Sequence, residues 1–315
     1  MEGFRFVLRR VAAGIPLVLG VTLVSFVLIV HFGPDPTWNL LGKNPTAEEI
    51  AQLRSQMGLD RPFWVRYAEY LRELATLEFG FSESTGERVG TLLGRTVPVT
   101  LALLAPGFVL GNLLGVALGL LAAWHRGRWI DKAIMGFSVV GMSISFLVVI
   151  IAFQWLFGVW LGWFPVRGWA VHDLGSYLAH VTVPTLASVF VALGYNTRFF
   201  RAVFVDEIGH DHVRTARAYG APPLVIMRDN VLRNTLIPIV TRILFSIPLI
   251  VVSGSLLIES YFGIPGVGKV TFDAITTGDQ PVLKAVVGLT AVLFVVIQVL
   301  ADILYRAVDP RVALE

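Results

Sequence analysis

Apolar positions gather into six long runs, and polar and charged positions return between them. The runs cover residues 11–30, about 97–124, about 133–160, about 177–195, about 243–262 and 285 to about 304. A bilayer's hydrocarbon core is about 30 Å thick and takes about 20 apolar residues to cross as a helix. The pattern therefore predicts an all-α polytopic membrane protein with six transmembrane helices. It divides into residues 1–31 (N-terminus and first span), a large loop 32–96, and a five-helix core 97–315 that includes a polar connection at 198–241.

Both polar stretches carry structure of their own. In the first, Thr46 stands three residues before Glu49, the spacing of a capping box, and Ile50, Leu53 and Met57 then share a helical face. After Gly58-Leu59-Asp60-Arg61-Pro62, apolar residues repeat at Phe63, Tyr67, Tyr70, Leu71 and Leu74. This predicts a small folded cap beyond the membrane, or two helices lying on its surface. The second stretch reads as helix, turn, helix. Residues 206–219 are helix-permissive, Gly220-Ala221-Pro222-Pro223 breaks the chain, and the next helix takes prolines in its first turn, where missing N–H groups cost nothing. Leu224, Met227 and Val231 mark an apolar stripe that needs a partner, either its own spans and the membrane surface or another protein.

Composition agrees with the pattern. Of 315 residues, 55% are hydrophobic and only 15% charged, too few charges to coat a soluble globule. There is no cysteine, which excludes disulfides, thiolate metal sites and cysteine nucleophiles. The net charge of +3 follows from topology rather than nucleic acid binding. With the N-terminus in the cytoplasm, 15 of the 25 Lys and Arg residues fall inside. Seven of the other ten lie in residues 32–96, beside nine acidic residues. The positive-inside rule then puts both termini in the cytoplasm. The first run is too long for a signal-peptide core, and no small-x-small cleavage site follows it, so it is expected to be retained. His31-Phe32-Gly33-Pro34-Asp35-Pro36 reads as a helix stop and turn.

Few residues suggest chemistry. Gly263-Ile264-Pro265-Gly266-Val267-Gly268-Lys269 spells most of a phosphate-binding loop, but Val270 stands where Ser or Thr must hold magnesium, and no strand precedes it. Gly107, Gly111, Gly115 and Gly119 line one face of the second span and predict close helix packing. Glu259 and Asp302 sit near span ends, where water is expected within reach. Asn112, Gln154, Asn196 and Gln298 could line a path or bond between helices, and His180 lacks the companions a metal site needs. The substrate pathway is not legible.

Longer motifs carry a resemblance. Val213-Arg214-Thr215-Ala216-Arg217-Ala218-Tyr219-Gly220, followed by Val231-Leu232-Arg233-Asn234-Thr235-Leu236-Ile237-Pro238, resembles the cytoplasmic coupling loop of ABC-importer permeases of the dipeptide, oligopeptide and nickel group. Leu8-Arg9-Arg10 through Gly14-Ile15-Pro16 and Gly20-Val21-Thr22 resembles the start of the first of the two permease subunits in such systems. Gly58–Pro62 and Glu259–Gly268 resemble further elements of the same group, in the same order. Arg214-Thr215-Ala216 stands in place of the broader Glu-Ala-Ala start, and Tyr219 where a lysine is common.

The resemblance implies a non-catalytic subunit of an importer in a bacterial-type plasma membrane. It would pair with a second permease, with two cytoplasmic subunits that bind ATP and magnesium, and with an external solute-binding protein; this chain would bind no cofactor. It also implies that Arg214, Thr215, Ala216, Arg217, Ala218, Gly220, Arg233, Asn234 and Pro238 form the ATPase-coupling motif. Two other readings are weaker. A secondary transporter should show internal repeats or mid-membrane acids, and neither is present. An intramembrane enzyme should show a motif such as H-E-x-x-H or G-x-S-x-G, and none occurs.

Overall fold

The computed structural model describes residues 2–33, 37, 41 and 45–308; the turn expected at Pro34-Asp35-Pro36 and the terminal Arg311 lie outside them. The described residues are largely helical, and their only β feature is an isolated bridge between Phe81 and Arg88. In chain order the helices are α1 (Glu2–Phe32), α2 (Ala47–Gln56), α3 (Phe63–Thr76) and α4 (Val89–Trp124). Next come α5 (Trp129–Ser143), α6 (Phe146–Trp160, ending in a π-helical turn), α7 (Leu174–Ile208), α8 (Asp211–Ala218) and α9 (Pro223–Leu232). The last are α10 (Leu236–Leu249), α11 (Ser255–Phe262), α12 (Val267–Thr277) and α13 (Gln280–Val308).

Four helices are each long and apolar enough to cross a membrane, within α1, α4, α7 and α13, and two bent pairs raise the number to six. One pair corrects the expectation of a continuous third span. The chain bends by 97° between α5 and α6, where Ile144 and Ser145 leave the helical conformation. The other pair, α9 and α10, bends by 60°. The expected fifth run is helical throughout, as the end of α10, a π-helical turn over Ile250–Gly254, and α11.

The chain forms two compact units. The first comprises residues 1–100, 248–260 and 265–300. Here α2 begins with the capping box expected from sequence: Glu49 N donates to Thr46 Oγ1, and Thr46 N donates to Glu49 Oε2 at 2.8 Å. Helix α3 buries Tyr67, Tyr70 and Leu74. Its aromatic face lies against α1, with Phe26 stacked on Tyr70 and the Tyr67 hydroxyl donating to the Leu19 carbonyl at 2.9 Å. The Tyr70 hydroxyl donates to the Lys284 carbonyl of α13, which ties the loop helix to two long helices.

Glu259 differs from its expected place near water, because it is fully buried. Its Oε1 accepts from Thr100 Oγ1 at 2.6 Å and its Oε2 from Lys269 N at 3.0 Å, while Thr100 Oγ1 accepts from Val267 N at 2.8 Å. The backbone of the P-loop-like residues thus turns its N–H groups, at the N-terminus of α12, toward an acceptor of the protein's own, the Glu259 carboxyl group. A Cβ on Gly266 would collide with that carboxylate, and one on Gly268 with Ser255 and the Leu256 backbone. Both positions therefore require the absence of a side chain.

The second unit comprises residues 101–247, 261–264 and 301–315. Its described core is α7 packed beside α4 and α5. Arg201 of α7 grips Asp131 of α5 through two bonds, Nε to Oδ1 at 2.5 Å and Nη2 to Oδ2 at 2.7 Å. Gly127 N donates to the same carboxylate at 2.9 Å, so the α4–α5 turn and α7 share one anchor.

Candidate functional site

The second unit carries a helical hairpin mounted on a seam of small residues. Along α4, Gly107, Gly111, Gly115 and Gly119 face Ser188, Ala192, Asn196 and Phe200 of α7. Both sets advance by four residues, so the two helices run in the same direction with matching ladders. A Cβ on Gly107 or Gly111 would stand 3.0 Å from its counterpart's Cβ, and one on Gly115 or Gly119 only 2.8 Å. Asn196 Nδ2 donates to Asn112 Oδ1 at 3.2 Å beside this seam, which accounts for two of the amides noted in the sequence.

At the end of the seam, Ala123 and Phe200 join Phe204, Val213, Ile226, Val231 and Ile239 in one buried cluster. The hairpin is therefore rooted in the same packing that holds α4 to α7. Two details differ from the sequence reading. The first helix begins at Asp211, because residues 206–208 complete α7 and Gly209-His210 form the turn between them. The buried face of α9 is Ile226 and Val231, five residues apart, while Leu224 is 83% exposed. The cause is π-helical winding over Ile226–Leu232, in which Arg233 N donates to Arg228 O, so the wider turn re-registers the stripe.

The residues of the suggested motif occupy several positions. Val213 is the buried anchor of α8, whereas Arg214, Thr215, Arg217 and Ala218 are exposed and Ala216 is partly buried against the cluster. Gly220 adopts φ +76°, and Ala221 N donates to Ala216 O at 3.1 Å, the closing bond of a Schellman turn. Arg217 lies over the Trp124 ring with its Cζ 6.0 Å from the centroid. Arg233 is exposed, and Pro238 sits in the first turn of α10, where no intrahelical N–H bond is lost. Asn234 does the joining. Its Nδ2 donates to Glu207 Oε1 at 3.0 Å and to Asn230 O at 2.9 Å, and it lies 3.1 Å from His212 Nε2. His212 Nε2 is in turn 3.0 Å from Glu207 Oε1. This staple of α7, α8 and the α9–α10 corner was missed in the sequence, where Glu207 and His212 carry no motif.

The arrangement can act as a stiff arm. It is bound to α4 and α7 at its base, and its tip presents Tyr219, 87% exposed, and Leu224.

Residues 115–314 match the family described as "Binding-protein-dependent transport system inner membrane component", and residues 3–104 match "Binding-prot-dependent transport system membrane comp, N-term". The chain belongs to this family. It is an ABC-importer permease subunit, and importers of this kind combine permease, ATPase and binding-protein components. A probable peptide ABC transporter permease protein of Sinorhizobium fredii is 30% identical over 98% of both chains. A glutathione transport system permease protein of Salmonella choleraesuis is 32% identical over 98% of both. The inward-facing MetNI methionine ABC transporter shares the fold. It has a TM-score of 0.56 at 23% identity, and the match covers 69% of this permease and 96% of that chain.

Proposed function

We propose that this permease forms half of a translocation path for peptides, paired with a second and different permease chain, and that the α8–α9 hairpin within residues 198–241 couples it to cytoplasmic ATPase subunits. The observation that carries the reading is the hairpin itself: its base is fixed in the core that joins α4 to α7, while its tip leaves two large apolar side chains without cover. An exposed apolar tip on a rigid arm suits a groove in a partner protein. ATP-driven closure of two such partners would tilt both arms and the helices behind them, opening the path alternately to the two sides. ATP and magnesium would bind to the partners, and this chain would hydrolyse nothing, since its P-loop-like amides already hold Glu259. Peptide cargo is proposed from the names of the relatives; an external binding protein would deliver it.

The sequence contains no cysteine, so single-cysteine variants report their own positions without background. Ala218→Cys and Tyr219→Cys should cross-link to an ATPase subunit in the assembled importer. In intact inner-membrane vesicles, Ala218→Cys and a cysteine at Glu78 should label from opposite sides, with Ala218 cytoplasmic. Labelling from the same side would overturn the proposed topology, and cross-linking to no ATPase would overturn the coupling role.

A further inference from the structure

Beside the hairpin, the second unit holds a half-open cavity of about 500 Å³ that shares only Arg217 with the suggested coupling motif. Arg126, Arg128 and Arg217 line it, with Trp124, Val205 and Ile208 and the first residues of α9 completing the wall. No acidic residue lines it. Among the described residues, none of the three arginines forms an ion pair, and the carboxylate of Asp131 nearby is occupied by Arg201 and Gly127 N. The site thus concentrates positive charge with no acidic residue in its lining; Asp131, within electrostatic range of Arg126, is a counter-charge nearby. Trp124, Val205, Ile208 and Ile226 make part of its wall apolar, and Trp124, beneath the Arg217 guanidinium, stands at the end of a membrane-crossing helix.

We propose that this cavity binds the phosphate head group of an anionic phospholipid, with the arginines on the phosphate and the apolar wall against the glycerol and upper acyl chain. Arginine clusters between helices at the cytoplasmic boundary suit such head groups, because planar guanidiniums pair with phosphate oxygens in two-point contacts. A free phosphate would satisfy the arginines but leave the apolar wall uncovered, which favours the amphipathic ligand. Arg126 and Arg128 belong to the α4–α5 turn and Arg217 to the hairpin, so one bound lipid bridges the arm to its base and stiffens it. The placement in the cytoplasmic leaflet rests on the topology proposed above.

The test uses the assembled importer in nanodiscs of phosphatidylcholine with or without phosphatidylglycerol, and native mass spectrometry of the same chain released from phosphatidylglycerol membranes. The chain should retain phosphatidylglycerol in preference to phosphatidylcholine. The double variant Arg126→Gln/Arg128→Gln should weaken retention roughly tenfold or more, as expected for two cations removed from an anionic surface. Transport-stimulated ATPase activity should rise with phosphatidylglycerol in the parent and respond much less in the variant, with basal ATPase activity unchanged. Equal retention by parent and variant would overturn the proposal. So would inorganic phosphate reproducing the stimulation in neutral nanodiscs, which would assign the cavity to a soluble anion. Loss of ATPase subunits from the variant would overturn it in favour of a protein interface. Lipid retention is read on the permease alone, so it stands or falls separately from the coupling role.

Discussion

Lys269 donates its backbone N–H to Glu259 Oε2 at 3.0 Å, and this bond turns a phosphate-loop spelling into an internal clasp. The carboxylate is fully buried and closes the N-terminus of α12 against α11. Glu259→Ala would leave the Lys269 N–H and the Thr100 hydroxyl without their acceptor, costing about 1–3 kcal/mol for each unsatisfied buried group. Gly266→Ala should be at least as damaging, since its Cβ would displace the carboxylate itself. Both variants should show a lower melting temperature in detergent than the parent. A Gly266→Ala protein as stable as the parent would exclude the clasp.

The glycine seam separates packing from helix propensity within a single helix. Gly115→Ala places a methyl group 2.8 Å from the Asn196 Cβ, whereas a Cβ at Gly90 or Gly94 on the same helix α4 meets nothing within 4 Å. Gly90→Ala should therefore be neutral or stabilising by up to about 1 kcal/mol. Gly115→Ala should destabilise by about 1–3 kcal/mol as α4 and α7 are forced apart. Thermal denaturation of the two variants side by side checks the difference in sign.

Gly220 makes a prediction about coupling rather than stability. Nothing stands within 4 Å of a Cβ there, so the constraint is its φ of +76° and not space. Gly220→Val would pay about 1–2 kcal/mol for the left-handed conformation, or reshape the hairpin tip to escape it. The variant should insert normally yet lose transport and transport-stimulated ATPase activity. Survival of both activities would refute the lever.

How much of this was legible follows from which signals are local. The Thr46–Glu49 capping box, the glycine ladder and the turn at Gly220 were readable, because each rests on residue types a few positions apart. The bend at Ile144 and Ser145 was not, because hydropathy stays high through it and neither Pro nor Gly stands at the break. The run's excess length over the roughly 20 residues a span needs was a usable signal, as was a serine at the new helix start. π-Helical winding left no sequence mark, so Leu224 was assigned to the wrong face. The partner of Glu259 was half visible: the amide nest was spelled out, and its acceptor stood a few residues upstream.

Glu83 supplies a pH dependence. Burial, with Asp279 adding to it, raises its pKa to about 7 from an ordinary value of 4.5; the Gln280 backbone N–H and Lys284 act in the opposite direction. Among the described residues, its Oε2 is buried without a hydrogen-bond partner. Since the folded state holds the proton more tightly than the unfolded state, protonated Glu83 favours folding. That contribution is fully present below about pH 4.5 and is lost as pH rises through about 7. Glu83→Gln mimics the protonated form and cannot titrate. Melting temperatures measured from about pH 5 to pH 8 should fall with rising pH in the parent more steeply than in Glu83→Gln, and the variant should be the more stable at the alkaline end. Parallel curves for the two proteins would show that Glu83 is ionised throughout and that its burial does not hold the proton.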